Sequence, residues 1–483
     1  MSLWATKSIE KIVKECGEHK LKRSLGPVTL IFLGIGAIIG AGLFSLTGIA
    51  AAENAGPAIS ISFIIAAIGC AFAGMCYSEF ASMIPISGSA YTYAYATMGE
   101  LAAWVIGWAL ILEYATGAAA VSISWSAYVV SLLHDLGIQL PAVLIASPWH
   151  PVRLMDGSIV YGWINLPALL IVLAISCLLI RGVHESARVN AVFVMIKLAV
   201  IFLFIVFGFF YIKAENFQPY IPENTGIFGE FGYSGILRAA GVIFFAYIGF
   251  DAVSTAAQET KNPQRNMPIG IIGSLLICTF LYIVFSTVLV GLVNYKLLSD
   301  AAPVALAIDQ TPYPWLNWCV KFAIISGLSS VVLVLLLAQT RIFYIMASDG
   351  LLPKFFARIH HRYHTPWFSN IVLMISVGLF AAFAPLELVG HMTSIGTLLA
   401  FVIVCTGVII LRKTRPDLPR PFKVPFVPFI PLLGVAICLL LMVSLGILNW
   451  IRLIIWIAIG LIVYFGYSQH HSKHRKDIKV PPF

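Results

Sequence analysis

Charge is what this sequence has least of. Only 11% of its 483 residues are Asp, Glu, Lys or Arg, against 60% from the hydrophobic set, whereas an ordinary soluble domain is about 25% charged and roughly half apolar. That shortage excludes a soluble globular enzyme. The chain also has no Walker A phosphate loop and no HExxH zinc signature, so nothing points to P-loop nucleotide chemistry or to a zincin protease. Cysteines number eight. Cys70, Cys76, Cys177, Cys278, Cys405 and Cys438 lie inside apolar runs, Cys16 lies in the basic N-terminal segment and Cys319 starts a run, so no disulfide framework is expected. The first apolar run begins near Pro27 with no small-x-small boundary, and no cleavable signal peptide is read.

What is present is long apolar runs. They read as spans near 28–51, 58–84, 96–130, 163–180, 187–211, 234–258, 268–293, 318–346, 367–384, 388–411, 427–448 and 451–468, numbered 1 to 12 in chain order. At about 20 residues per crossing, the chain is an all-α polytopic membrane protein with about twelve transmembrane helices. The basic residues sort by side. With a cytoplasmic N-terminus, 22 Lys and Arg fall in inner segments, against Arg153, Lys213 and Lys296 outside, so both termini are expected in the cytoplasm by the positive-inside rule. The same sorting accounts for the net charge of +9 without a nucleic-acid partner.

Two spans are interrupted in a similar way. Span 1 carries GIGAIIGAG from Gly34 to Gly42, and span 6 carries FFAYIGFD from Phe244 to Asp251, centred on Gly249. A mid-helix glycine costs about 1 kcal/mol relative to alanine, and five of them between residues 34 and 48 argue against a smooth helix. Corresponding breaks five spans apart point to an inverted-repeat transporter with its site at the unwound backbone. The alternative for span 1 is close helix packing through the Gly36 and Gly40 pair. A dinucleotide fingerprint does not fit, because no strand precedes the glycines.

Three stretches then carry a resemblance: GIGAIIGAGLF at Gly34 to Phe44, YSEFASMIPISGSAYTYAYATMGE at Tyr77 to Glu100, and FFAYIGFDAVSTAAQETKNPQRNMPIGI at Phe244 to Ile271. The chain is similar, from about residue 25 to 468, to the amino acid–polyamine–organocation superfamily, especially bacterial relatives of the cationic amino acid transporters. The resemblance implies a LeuT-type fold of 5+5 inverted repeats with helices 1 and 6 broken. The layout is then a basic cytoplasmic N-terminus (1–26), a first repeat (27–212), a second repeat (233–412), peripheral spans 11 and 12 (425–468) and a basic cytoplasmic tail (469–483).

An amino acid zwitterion in this medium needs partners for both charges, since an unpaired buried charge costs several kcal/mol. A broken helix offers free amides and a partial positive charge to the carboxylate, and the unwound ends offer carbonyls to the ammonium. By similarity, the carboxylate is assigned to the amides of Ala41 and Gly42. The ammonium is assigned to the carbonyls of Ile38, Phe245, Ala246 and Ile248, with Phe245 doubling as an aromatic gate. Ala41 departs from the Ser or Thr of many relatives and loses a hydroxyl contact. The span 8 stretch from Ser329 to Gln339 is almost wholly apolar, and Val334 and Leu335 there are assigned to the side-chain end of the pocket.

Lys197 is the most informative ionisable residue. It lies about ten residues from the inner end of span 5, roughly 15 Å deep, too far to snorkel. It must pair, neutralise, or do both in turn. In the family a lysine in this span stands where sodium-coupled relatives hold sodium, which would face its ammonium to the Gly36 carbonyl and to hydroxyls such as Ser329 and Ser330. The alternative is a static cation tying spans together. Glu113, Asp251 and Glu79 are the acids in or near the spans. Each is read as a proton relay, a partner for a cationic side chain, or a hydrogen-bonded structural carboxylate, with Asp251 also a candidate cap for its helix. The histidine groups at 360, 361 and 364 and at 470, 471 and 474 read as solvated basic faces rather than metal sites.

The expected function is secondary transport of L-amino acids across the plasma membrane, proton-coupled, with small neutral side chains favoured. Arg or Lys transport and amino acid exchange stay open, and a membrane-embedded enzyme and a channel are the readings from other classes. The expected partners are the amino acid, protons and the bilayer. No cofactor or metal is expected, and a small membrane subunit is left open.

Overall fold

The computed structural model describes residues 25–84, 89–149, 151–153, 159–182, 187–257, 260–363 and 365–473. Most of the N-terminal segment, residues 85–88 of the second motif, His364 and the tail from His474 onward lie outside them. The protein is a mostly helical polytopic membrane protein. In hydrocarbon every backbone N–H and C=O must find a partner within the segment, and each of the twelve apolar runs accordingly coincides with a helix or with half-helices. Among the described residues, seven helical stretches are long and apolar enough to cross a membrane, with four shorter apolar helices beside them, Pro27–Ile38, Leu166–Ile180, Trp367–Phe383 and Phe429–Ser444.

The starts of spans 7 and 8 differ from those expected from the sequence for the same reason. Span 7 begins at Pro263, not 268, and carries Pro268 inside it; span 8 begins at Pro314, not 318. Proline is pre-organised for the first helical turn, where its missing N–H is not needed, so the helices extend outward to reach it. Span 3 also runs further than expected, as Glu100–Asp135, preceded by a separate helix Ser89–Thr97. Between spans 3 and 4 a small antiparallel hairpin pairs β1 (Pro151–Arg153) with β2 (Ile159–Tyr161), Val152 opposite Val160.

The packing has a simple rule. Span 2 lies against span 7, span 3 against span 8, span 4 against span 9, and the two halves of span 1 against those of span 6 or their neighbours. Spans 1 to 4 thus meet the elements five places on, whereas span 5 packs on spans 8, 1 and 7, span 10 closes on span 3 and span 11 on span 10.

Two buried charges near span ends are paired. Lys321 is buried at the start of span 8 and donates to Asp135 Oδ2 at 2.6 Å, with Asp309 Oδ1 at 4.0 Å. Burial holds the Asp309 carboxyl above its ordinary value, and Lys321 pulls the other way. At the other end Glu79, 2% exposed, is bound by Arg412 through Nε at 3.1 Å and Nη2 at 2.6 Å. It also accepts the Val424 N–H at 2.7 Å and faces Arg420 Nε at 3.5 Å. Of the readings open for Glu79, the structural carboxylate fits this geometry. Among the histidines, His360 Nδ1 accepts the N–H groups of Arg362 and Tyr363, closing a turn.

Candidate substrate and coupling site

Span 1 is helical over Pro27–Ile38, leaves the helix at Ile39 (φ −74°, ψ 104°) and resumes at Gly42–Leu46. Span 6 is helical over Gly232–Ile243 and Phe244–Tyr247, extends at Ile248 (φ −62°, ψ 138°), turns at Gly249 and resumes as Phe250–Thr255. Gly249 has φ +116°, a conformation that side chains resist and glycine adopts freely. The two breaks meet. A Cβ on Gly42 would stand 2.6 Å from Ala246 Cβ and 2.7 Å from Ala246 N, and one on Gly249 would stand 2.8 Å from Ala37 C and O. Neither position has room for one.

The amides of Ala41 and Gly42 stand at the start of the second half of span 1, where the first N–H groups have no intrahelical acceptor. Those of Leu43 and Phe44 fold back onto Gly40 O, both at 3.2 Å. Among the carbonyls assigned to the ammonium, Phe245 O accepts the Ile248 N–H at 3.1 Å. Those of Ile38 and Ala246 face the hydroxyl of Tyr282 on span 7, at 3.0 and 2.8 Å. A phenol has one hydrogen to share between them, so lone pairs remain on both carbonyls. Sequence reasoning misses Tyr282, although a tyrosine mid-span announces a hydroxyl that must find a partner.

Behind the breaks, Lys197 is 1% exposed. Its Nζ donates to Gly36 O at 2.9 Å and Ile39 O at 3.2 Å, the carbonyls flanking the point where span 1 leaves the helix. Its stem rests on span 8 at Gly327, where a Cβ would come within 2.9 Å of Lys197 Cε and 3.0 Å of Cγ. Ser329 donates to Ile325 O and accepts from Trp125 Nε1, both at 2.9 Å, and Ser330 donates to Gly327 O at 2.9 Å.

Span 8 presents one stripe to the site, at i, i+4 spacing. Gly327 receives Lys197, Val331 is the side chain that a Cβ on Gly40 would touch at 3.5 Å, and Leu335 lies 3.6 Å from a Cβ placed on Gly117 of span 3. Leu335 is buried, while Val334 is only half-buried and off that stripe. Leu335 therefore faces span 3 and Val334 does not share its position.

Glu113 and Asp251 form an acidic pair between spans 3 and 6, each 1% exposed. Asp251 sits in the first turn of the second half of span 6 and its Oδ2 accepts the Tyr114 hydroxyl at 2.9 Å. Neither oxygen of Glu113 has a hydrogen-bond partner among the described residues, and the neighbouring Thr397 hydroxyl donates to Thr393 O at 3.0 Å.

Two helices unwound against each other inside a bundle of apolar spans, with a buried cation braced on one of them, are the architecture of a membrane transporter. The comparisons make that class specific. Residues 25–471 match the family model described as amino acid permease, and the chain belongs to that family, within the amino acid–polyamine–organocation superfamily. It is 44% identical to the branched-chain amino acid permease BcaP of Bacillus subtilis (strain 168), over 98% of this chain and 99% of the relative. It is 43% identical to the methylthioribose transporter of the same strain, over the same shares. The cationic amino acid transporter 4, vacuolar, of Arabidopsis thaliana is 37% identical over 86% of this chain and 68% of its own length. These relatives are named permeases or transporters, and the chain is a carrier, not an enzyme.

Proposed function

We propose that this protein is a proton-coupled symporter of L-amino acids with neutral, apolar side chains, small ones favoured, working in the plasma membrane with both termini in the cytoplasm. Its architecture in this reading is the twelve-helix LeuT-type arrangement, in which spans 1–5 and 6–10 are inverted repeats. The pairing of spans 1 to 4 with spans 6 to 9 supports the repeat, since equivalent elements related by a two-fold axis meet across it.

The observation that carries the reading is Lys197 on the Gly36 and Ile39 carbonyls. An ammonium there stabilises the unwound backbone of span 1, and its loss of a proton frees two carbonyls and loosens the break. The amino acid carboxylate is assigned to the Ala41 and Gly42 amides. The ammonium is assigned to the carbonyls of Ile38, Phe245, Ala246 and Ile248, joining or displacing the Tyr282 hydroxyl. Leu335 and Val331 offer the side chain an apolar wall, which favours neutral cargo. Glu113 and Asp251 serve as the second proton-carrying pair.

Exchange of amino acids and transport of a cationic side chain toward Glu113 and Asp251 are the rival modes. A neutral cargo of the methylthioribose type is a second substrate reading, favoured by nearly equal identity to two relatives with different named cargoes. A thermal-shift screen of the twenty amino acids and methylthioribose on detergent-purified protein separates these, since a native-state ligand raises the melting temperature. In proteoliposomes with an inward proton gradient, the parent should accumulate a labelled neutral amino acid without sodium. Lys197→Ala and Lys197→Arg should bind it in detergent but not concentrate it, because one never carries and the other never releases the proton. Accumulation by Lys197→Ala, or strict sodium dependence of the parent, overturns the coupling.

A further inference from the structure

Where span 7 starts, a groove of about 600 Å³ opens between that helix and the segment joining spans 10 and 11. One wall is apolar and faces outward from the bundle, with Ile269 at 39% and Leu276 at 64% exposure. The opposite wall is Phe422 and the residue before it. That wall is anchored: Val424, two residues on, is tied to Glu79, as are Arg412 and Arg420. Gly273, which lines the groove, also packs on the first half of span 1, where a Cβ would stand 3.0 Å from Ile31 Cδ1.

The groove has a polar mouth at one end only. Arg265 and Gln264 line it there, both exposed, and Lys423 follows Phe422 in the facing wall, exposed as well. Arg265 makes no side-chain hydrogen bond or ion pair among the described residues. It also sits in the first turn of its helix, which holds no acidic residue. A cation there opposes the helix dipole, so the position favours an anion supplied from outside the chain.

The dimensions match one leaflet. Arg265 and Leu276 are eleven residues apart, about 16 Å along a helix at 1.5 Å per residue, close to half of the roughly 30 Å hydrocarbon core. The mouth lies at the end where the sequence collects its basic residues, the cytoplasmic side in the orientation proposed above.

We propose that this groove binds an anionic phospholipid of the inner leaflet, its phosphate at Arg265 and Lys423 and one acyl chain along Ile269 and Leu276 against Phe422. Basic pockets between helices on the cytoplasmic side select anionic headgroups, and each Lys or Arg near an anionic lipid contributes on the order of a fivefold gain. Because the span 7 wall packs on the first half of span 1 at Gly273, a lipid seated here braces the helix against which that half-helix must move when the break opens.

Native mass spectrometry of the full-length protein in detergent, titrated with dioleoyl phosphatidylglycerol or dioleoyl phosphatidylcholine, tests this without any solute gradient. Failure of the lipid site therefore leaves the transport reading standing, and the reverse. The parent should retain phosphatidylglycerol over phosphatidylcholine by at least about fivefold. Arg265→Gln should bring the two lipids to parity, Arg265→Lys should keep the preference, and Leu276→Trp, which fills the groove, should weaken both. Equal retention of the two lipids by the parent overturns the proposal, as does a preference unchanged in Arg265→Gln. Inorganic phosphate at millimolar concentration should not displace the lipid; displacement would make the mouth a free-anion site and overturn the acyl-chain assignment.

Discussion

Glu79 and Glu113 are two glutamates buried to the same degree, at 2% and 1% exposure, and their surroundings are opposite. Glu79 has two guanidiniums and a backbone amide around it. Glu113 has no hydrogen-bond partner for either oxygen among the described residues. A buried ion in a saturated set of partners fixes geometry, and removing one member leaves the others uncompensated. A buried acid whose oxygens are unclaimed is costly as an ion. The first holds the span 10 to 11 segment onto span 2; the second is the acid that the proposed function asks to gain and lose a proton.

The comparison breaks most easily at Glu79. Glu79→Gln leaves Arg412 and Arg420 facing a neutral amide and should destabilise the folded protein by about 3–5 kcal/mol, read as a large fall in melting temperature in detergent. A variant that melts with the parent would make Glu79 as dispensable as the contrast says it is not. Gly42→Val comes next. The side chain must displace Ala246 as well as block the carboxylate, so amino acid binding should vanish and stability should fall by about 1–3 kcal/mol. Retained uptake would remove span 1 from the site.

Tyr282→Phe removes the hydroxyl shared by the two breaks, with an expected cost of about 1 kcal/mol and weaker substrate binding by direct titration; unaltered affinity would show the hydroxyl to be a bystander. The smallest stability effect is expected at Glu113. Glu113→Gln is nearly isosteric, no hydrogen bond is lost, and the melting temperature should stay within about 1 kcal/mol of the parent. Its uptake, however, should lose the rise with falling external pH that proton coupling predicts for the parent. A pH profile superimposable on the parent's would leave the acid without a coupling role.

The spans are legible in the sequence because composition alone marks them, and the breaks are legible because glycine clusters inside apolar runs have few other uses. The phase of span 8 is not. A helix apolar all round gives no periodicity from which to choose a face, so the sequence puts Val334 and Leu335 together although only Leu335 lies on the stripe with Gly327 and Val331. Gly327 and Tyr282 escape notice because their importance lies in what reaches them from spans 5, 1 and 6. The partners of Glu79 lie more than 330 positions away, and a lone glutamate in a span does not name them.

The turn at Gly249 has a genetic consequence. Every amino acid one nucleotide from a glycine codon carries a Cβ, and at a φ of +116° with Ala37 backbone 2.8 Å from that atom none of them fits. A missense library scored for uptake should therefore show a column at position 249 with no tolerated letter, while the positions on either side admit conservative changes. The hinge of span 6 would stand out in such a scan as a single codon with no neutral missense neighbour.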